Sequence, residues 1–161
     1  MRNARGVFME TLEDLASKDP KVILITMDVG FSYLEDFALK YPNQFINTGV
    51  TEQAAMGMAA GLALSGWKPY IYSMIPFVTM RNFEQLRNDV CYNNANVKII
   101  GVRGSVHYKF LGFSHNIAMN EDLKILSPLP NIRIAVPETP EEVKDVMEKS
   151  YLDIGPVYIR L

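Results

Sequence analysis

Residues 22–27 read VILITM, an unbroken apolar and β-branched run with no polar alternate positions. A strand of this kind must be covered on both faces, which restricts the chain to a sheet with helices above and below it. The rest of the sequence supplies those helices in alternation with further strands. Residues 4–17 place Val7, Phe8, Leu12 and Leu15 on one stripe and predict an amphipathic helix. Ser32 with Glu35 has the spacing of a capping box and opens a second helix that stops near Tyr41-Pro42. A short strand is expected at 44–47, a helix from Glu52, a strand at 69–74 and a single long helix at 77–93. Residues 97–102 are again strand-like. The segment 103–119 has no clean period and reads as a long loop, a feature usually tied to function. A short helix after Asn120, a strand at 132–136, a helix opened by Thr139-Pro140 with Glu142, and a strand at 157–160 complete the series. These units predict one three-layer α/β domain over residues 1–161. Its sheet is mostly parallel, of about six strands, with helices on both faces.

Composition narrows the function classes. The 161 residues suffice for one well-buried domain, and 48% hydrophobic with 21% charged residues is an ordinary globular balance. Sixteen basic against eighteen acidic side chains, with no basic cluster, give no electrostatic footprint for nucleic acid. The longest apolar run is too short to span a membrane. A single cysteine, Cys91, cannot form an internal disulfide, and no secretion signal is recognisable, so a cytoplasmic setting is expected. No Gly-x-Gly-x-x-Gly follows the first strand and no P-loop sequence occurs, which removes the common nucleotide-binding fingerprints.

In an open parallel sheet, ligands bind at the carboxyl ends of strands. Asp28-Val29-Gly30, Thr48-Gly49, Met74-Ile75-Pro76 and Arg103-Gly104 fall there. One carboxylate stands out in this set. Glu52 opens a helix in which residues 54–64 carry no charged or hydrogen-bonding side chain. Such a helix is expected to be buried on all sides. Its first-turn acid would be drawn into a poorly solvated place that favours the protonated form, with a raised pKa. The alternative is that Glu52 merely complements the helix dipole, with Thr51 as the cap.

Together these segments resemble the pyrimidine-binding domain of transketolase-like thiamine diphosphate enzymes, above all the C-terminal subunit of split bacterial transketolases and deoxyxylulose-phosphate synthase. The resemblance rests on Arg5 with the helix after it, Asp28-Val29-Gly30, residues 45–66, Pro76-Phe77, Arg87-Asn88, residues 97–101, Ser114-His115, Glu121-Asp122, Leu129-Pro130-Asn131 and Gly155-Pro156-Val157. It implies that Glu52 bonds N1′ of the cofactor aminopyrimidine and activates it by proton exchange. Phe77 then matches the aromatic that stacks on the pyrimidine, with Met74 and Met80 as softer pocket walls where relatives carry aromatics. His115 stands in Gly112-Phe113-Ser114-His115, where the family has Gly-Pro-Thr-His, and is expected to bond a substrate oxygen and move protons. Arg5 and Arg103 are candidate contacts to the substrate, Arg5 to its phosphate. His107 matches no family position.

Departures from the family pattern carry as much meaning. The Asn93-Asn94 pair has no Gly-Asp-Gly upstream, so the magnesium–diphosphate motif is missing. Leu111 replaces the acid that precedes Gly-Pro-Thr-His, and with Phe110 and Phe113 it makes an apolar cluster expected to disfavour the usual hydroxyl-rich sugar phosphates. The resemblance therefore implies half an enzyme: a diphosphate-binding transketolase N-terminal subunit supplies magnesium and the diphosphate site, in a heterotetramer or dimer of heterodimers acting on a sugar or sugar phosphate. Gly57 and Gly61 in the Glu52 helix, four residues apart, suit close packing against a partner helix. The competing readings are one half of a 2-oxo acid dehydrogenase or of a deoxyxylulose-phosphate synthase, or a non-catalytic assembly module of the same fold.

Overall fold

A computed structural model describes residues 3–104 and 106–161, the side chains of residues 106–108 excepted. The apolar run forms β1 (Val22–Thr26), all five residues of which are buried. With β2 (Phe45–Asn47), β3 (Lys68–Met74), β4 (Lys98–Val102), β5 (Arg133–Ala135) and β6 (Val157–Arg160) it builds a six-stranded sheet in the order β2-β1-β3-β4-β6-β5. Every neighbouring pair is parallel. Alternate residues of the central strands feed two cores. Leu24, Tyr70, Tyr72, Ile100 and Ile159 meet α1 (Ala4–Lys18), α2 (Glu35–Lys40) and α7 (Pro140–Leu152) on one face. Ile25, Ile71, Ile99 and Tyr158 meet α3 (Glu52–Leu64), α4 (Ile75–Thr79) and α6 (Glu121–Leu126) on the other. The expected doubly covered sheet is thus present, and β1 is buried because each of its faces has its own core.

The order of strands reverses between β1 and β3: the chain moves outward to β2, then crosses back through α3 to β3. A crevice opens at the carboxyl ends of strands where such a reversal occurs. Glu52 lies at that crevice, as the first residue of α3.

Local readings differ from expectation in five places. The helix expected at 77–93 is broken into α4, a short α5 (Phe83–Gln85) and a π-helical turn, Leu86–Cys91. The break follows from the turn after Pro76, whose carbonyl accepts from both Met80 N and Arg81 N at 3.1 Å, so the ladder widens and does not continue. The expected loop at 103–119 coils into a 3₁₀ stretch, Val106–Ser114, kinked at Gly112 where φ is 57°. Only half of the Ser32–Glu35 box forms: Ser32 N donates to Glu35 Oε1 at 2.8 Å, and α2 begins at Glu35 itself. Thr51 does not cap α3; its hydroxyl donates to Thr48 O. By contrast, Thr139 caps α7 as expected, accepting from Glu142 N at 3.2 Å.

The fifth difference concerns α3. It buries Glu52, Ala55, Met56, Ala59 and Ala60 against the sheet but leaves Met58 and Leu64 exposed, with Val50 just before it. The helix lacks a polar face, yet one of its sides faces outward in this chain. Among the described residues, no helix is long and apolar enough to cross a membrane.

Candidate active site

Glu52 is 4% exposed although it carries a charge-bearing group in the first turn of a helix. The sequence pattern led to an unpaired carboxylate; the structure gives it a counter-charge instead. Arg81 donates through Nη1 to Glu52 Oε1 at 2.6 Å. An isolated buried carboxylate is costly, and a nearby guanidinium removes much of that cost. Glu52 Oε2 takes no hydrogen bond from the described residues. Asn82, fully buried, donates from Nδ2 to the backbone oxygen of Glu52 at 3.4 Å, while its Oδ1 has no partner among the described residues. The start of α3 is therefore pinned to the break after α4, from which both Arg81 and Asn82 project.

Phe77 sits in α4, directly after β3, and is 7% exposed. The Arg81 guanidinium carbon lies 4.0 Å from its ring centroid, a close cation–π contact. The His115 ring meets Phe77 edge-on, with centroids 4.8 Å apart at 73°. His115 Nδ1 in turn lies 2.8 Å from Ser114 Oγ, whose hydroxyl is also within 2.7 Å of Leu111 O. Three residues singled out from the sequence, Glu52, Phe77 and His115, are thereby joined into one cluster, and Arg81 is the link. A cleft of roughly 350 Å³ opens beside it, lined by Val50, Thr51, Glu52, Gln53, Ala54 and Arg81. That volume lies within the range of small-molecule sites.

The remaining candidates sit around this cluster. Met74, 5% exposed, ends β3, and Met80 is half-buried at the break after α4. Arg5 donates through Nη2 to Arg103 O at 2.8 Å and leans over Tyr33, its guanidinium carbon 5.6 Å from that ring. It is held by the rim, and neither Arg5 nor Arg103 pairs with Glu52. Leu111 is half-buried in the 3₁₀ stretch, but Phe110 and Phe113 are 80% and 81% exposed. The expected apolar cluster does not close within this chain, because both phenylalanines face outward. The side chain of His107 lies outside the described residues. Among the described residues, no group of three or more His, Cys, Asp or Glu is gathered to hold a metal ion.

Arg81 was missed from the sequence. Its spacing offered a signal: it follows Phe77 by four residues on a predicted helix, the separation at which side chains meet. With an acid already singled out nearby, an i,i+4 aromatic–arginine pair was the cue.

The geometry fits a planar ring that donates a hydrogen bond to Glu52 and stacks on Phe77, because a planar donor, the guanidinium, already does both. The chain is also similar to known proteins over almost its whole length. The family model described as the transketolase pyrimidine binding domain matches residues 1–161. One of the subunits of apulose-4-phosphate transketolase from Phocaeicola vulgatus is 35% identical over 158 residues, covering 98% of this chain and 50% of that protein. A putative transketolase C-terminal section of Methanocaldococcus jannaschii is 34% identical over 161 residues, covering 99% of this chain and 50% of the relative. A split-gene transketolase solved as an inactive beta4 tetramer superposes with a TM-score of 0.86 at 34% identity, over 98% of this chain and 50% of that one. The chain thus spans about half the length of the curated relatives it matches.

Proposed function

The chain belongs to the transketolase pyrimidine-binding family, and on that premise we propose that it is the pyrimidine-binding half of a two-component, thiamine diphosphate-dependent transketolase. The observation that carries this reading is Glu52: a buried carboxylate at the mouth of α3, with one oxygen that takes no hydrogen bond from the described residues, linked through Arg81 to the buried ring of Phe77. A scaffold gains nothing from a carboxylate kept in a nearly dry cleft. When bound, thiamine diphosphate supplies the electron sink for breaking and making C–C bonds next to a carbonyl.

This chain's own residues do the positioning. Glu52 offers Oε2 to a ring nitrogen and holds or releases the proton there. Phe77 presents a flat apolar face against which the ring stacks, with Met74 and Met80 as adaptable walls. His115, steadied at Nδ1 by Ser114, donates toward a substrate oxygen. Arg5, whose guanidinium donates to the main-chain oxygen of Arg103, and Arg103 itself place positive charge where an anionic substrate such as a sugar phosphate enters.

Magnesium and the diphosphate are assigned to a second polypeptide, the diphosphate-binding transketolase N-terminal subunit, in a heterotetramer or dimer of heterodimers. Support comes from the Phocaeicola vulgatus relative, which is named as one subunit of its transketolase, and from the split-gene relative, whose beta chains alone form an inactive tetramer. The outward side of α3, with Val50, Met58 and Leu64, gives such a partner an apolar surface. Calorimetric titration of the purified chain with thiamine diphosphate and magnesium, with and without the N-terminal subunit, tests this reading. Weak binding alone and tight, magnesium-dependent binding in the mixture are expected. Tight magnesium-dependent binding by this chain alone would overturn the two-component assignment.

A further inference from the structure

Among the described residues the Arg81 guanidinium makes two contacts, and both are with groups that the proposed function reserves for a ligand ring. It donates to Glu52 Oε1 at 2.6 Å and covers Phe77 at 4.0 Å. A guanidinium is planar, cationic and rich in N–H donors, so it satisfies the same two surfaces as an aminopyrimidine carrying a proton on its ring. Glu52 keeps Oε2 for a second donor, but the guanidinium and a stacked ring cannot share one face of Phe77.

Three further observations separate Arg81 from a fixed structural partner. Its side chain is 45% exposed, whereas that of Glu52 is 5% exposed, so only the acid is committed to the interior. It stands on the break between α4 and α5, where the chain is outside regular helix on either side. It lines the open cleft of roughly 350 Å³ beside Glu52, which offers its head a place outside the pocket.

We propose that Arg81 is a placeholder: in the ligand-free chain its guanidinium occupies the pyrimidine pocket and neutralises Glu52, and the incoming ring must displace it. The inference rests on the reading of the pocket given above. It makes entry competitive. The ring's apparent affinity is its intrinsic affinity scaled by the fraction of chains in which Arg81 has already swung out. The placeholder also has a use, since a carboxylate kept nearly dry without any counter-charge would destabilise the chain before its ligand or partner arrives.

The test uses the aminopyrimidine fragment of thiamine, which carries no phosphate and needs no magnesium. Its binding to the full chain is measured by calorimetry for wild type, Arg81→Met, Arg81→Gln and Glu52→Gln. If Arg81 occupies the pocket about nine-tenths of the time, Arg81→Met tightens binding roughly 10-fold. Arg81→Gln, which keeps an amide donor without the charge, gives a smaller gain in the same direction and stands in if the Met variant folds poorly. In wild type, the Arg81 Nε–Hε resonance moves on saturation with the fragment. Affinity that is lost in Glu52→Gln but unchanged or weakened in both Arg81 variants overturns the placeholder and leaves the pocket standing. Binding that ignores Glu52→Gln, or no binding to any variant, overturns the pocket assignment and the placeholder with it.

Discussion

The two ends of the sheet treat polar groups in opposite ways. At the amino end, hydrogen-bonding capacity is largely used up. Asp19 accepts from Lys68 Nζ at 2.8 Å, Tyr151 Oη at 3.0 Å and Lys21 N at 2.8 Å. Gln44 Nε2 reaches three main-chain oxygens, and Lys98 Nζ, on a side chain that is almost fully buried, reaches Asn96 Oδ1, Asp153 O and Gly155 O. Toward the carboxyl end, capacity is left over: among the described residues Glu52 Oε2 takes no hydrogen bond, and Ser73 Oγ and Asn82 Oδ1 are buried without partners. Positive φ at non-glycine residues does not separate the ends, occurring at Asp28 and Ser32 on one side and at Asn94 and Asn131 on the other. Buried groups without partners cost stability and persist where something else uses them. The difference marks the amino end as the part that holds the fold and the carboxyl end as the part that acts. The amino end has one exception: the buried hydroxyl of Tyr70, a residue in register with Lys98, has no hydrogen-bond partner among the described residues.

The sharpest way to break this contrast is at Glu52. Glu52→Gln keeps the shape of the side chain and can still accept from Arg81, so folding and assembly are expected to survive. It cannot exchange a proton with a ring nitrogen. Loss of a proton-transfer group costs on the order of 10²–10⁴ in rate. Turnover of the reconstituted two-component enzyme is the measurement. A variant that is folded, assembled and retains more than about a tenth of wild-type turnover would remove Glu52 from the chemistry on that scale.

That Glu52 could be picked out at all shows which information is local. The apolar run of β1, the Thr139-Pro140 helix start and the lone acid at the head of α3 are read from neighbours in sequence, and each stands in the structure. What failed to show was set by contacts between distant segments. Arg81 meets Glu52 across 29 residues, and the break that presents it depends on the carbonyl of Pro76 taking two amides. The outward side of α3 is invisible to periodicity, because an all-apolar helix has the same pattern whether its cover comes from its own chain or from another. Phe110 and Phe113 illustrate the same limit: neighbouring apolar residues suggested a cluster, but the chain kinks at Gly112 and both rings are exposed.

The amino end is tested by Lys98, where a large effect on stability and none on ligand affinity are expected. Burial, with a smaller push from the charge of Arg133, lowers the pKa of the Lys98 ammonium from 10.5 to about 8, while its oxygen neighbours favour the charged form. Between those two values the unfolded chain binds the extra proton more readily than the folded one. Stability therefore rises as pH increases across this window, and the gain is lost as pH falls through about 8. Lys98→Met keeps an apolar stem and leaves more than one buried oxygen unbonded. At roughly 1–3 kcal/mol for each orphaned group, a loss of about 3 kcal/mol is expected. Urea unfolding from pH 7 to 10.5 should show the alkaline rise in wild type and its absence in the variant. A variant as stable as wild type would mean that the saturated end does not carry the fold; a change in its affinity for the aminopyrimidine fragment would mean that the two ends are coupled.

The smallest effect is expected at Leu111, where the carboxyl end departs from the acid that the family pattern places before its histidine. The residue is half-buried four positions before His115, and its carbonyl takes the Ser114 hydroxyl that also steadies the imidazole. If its side chain faces the substrate, a hydroxyl brought there finds no acceptor. Burying an unpaired hydroxyl costs roughly 1–3 kcal/mol, equivalent to about 5- to 150-fold in selectivity. Leu111→Asp restores an acceptor and should raise kcat/KM for a common donor such as xylulose 5-phosphate relative to the native donor. The two donors are put in competition on wild-type and variant complexes, because the ratio cancels any shared loss of active enzyme. The exposed Phe110 and Phe113 make the outcome informative either way. An improved ratio places the specificity of the open end in this chain. An unchanged ratio, in a variant shown to be assembled, means that the partner's surface closes over these residues and sets the choice of donor.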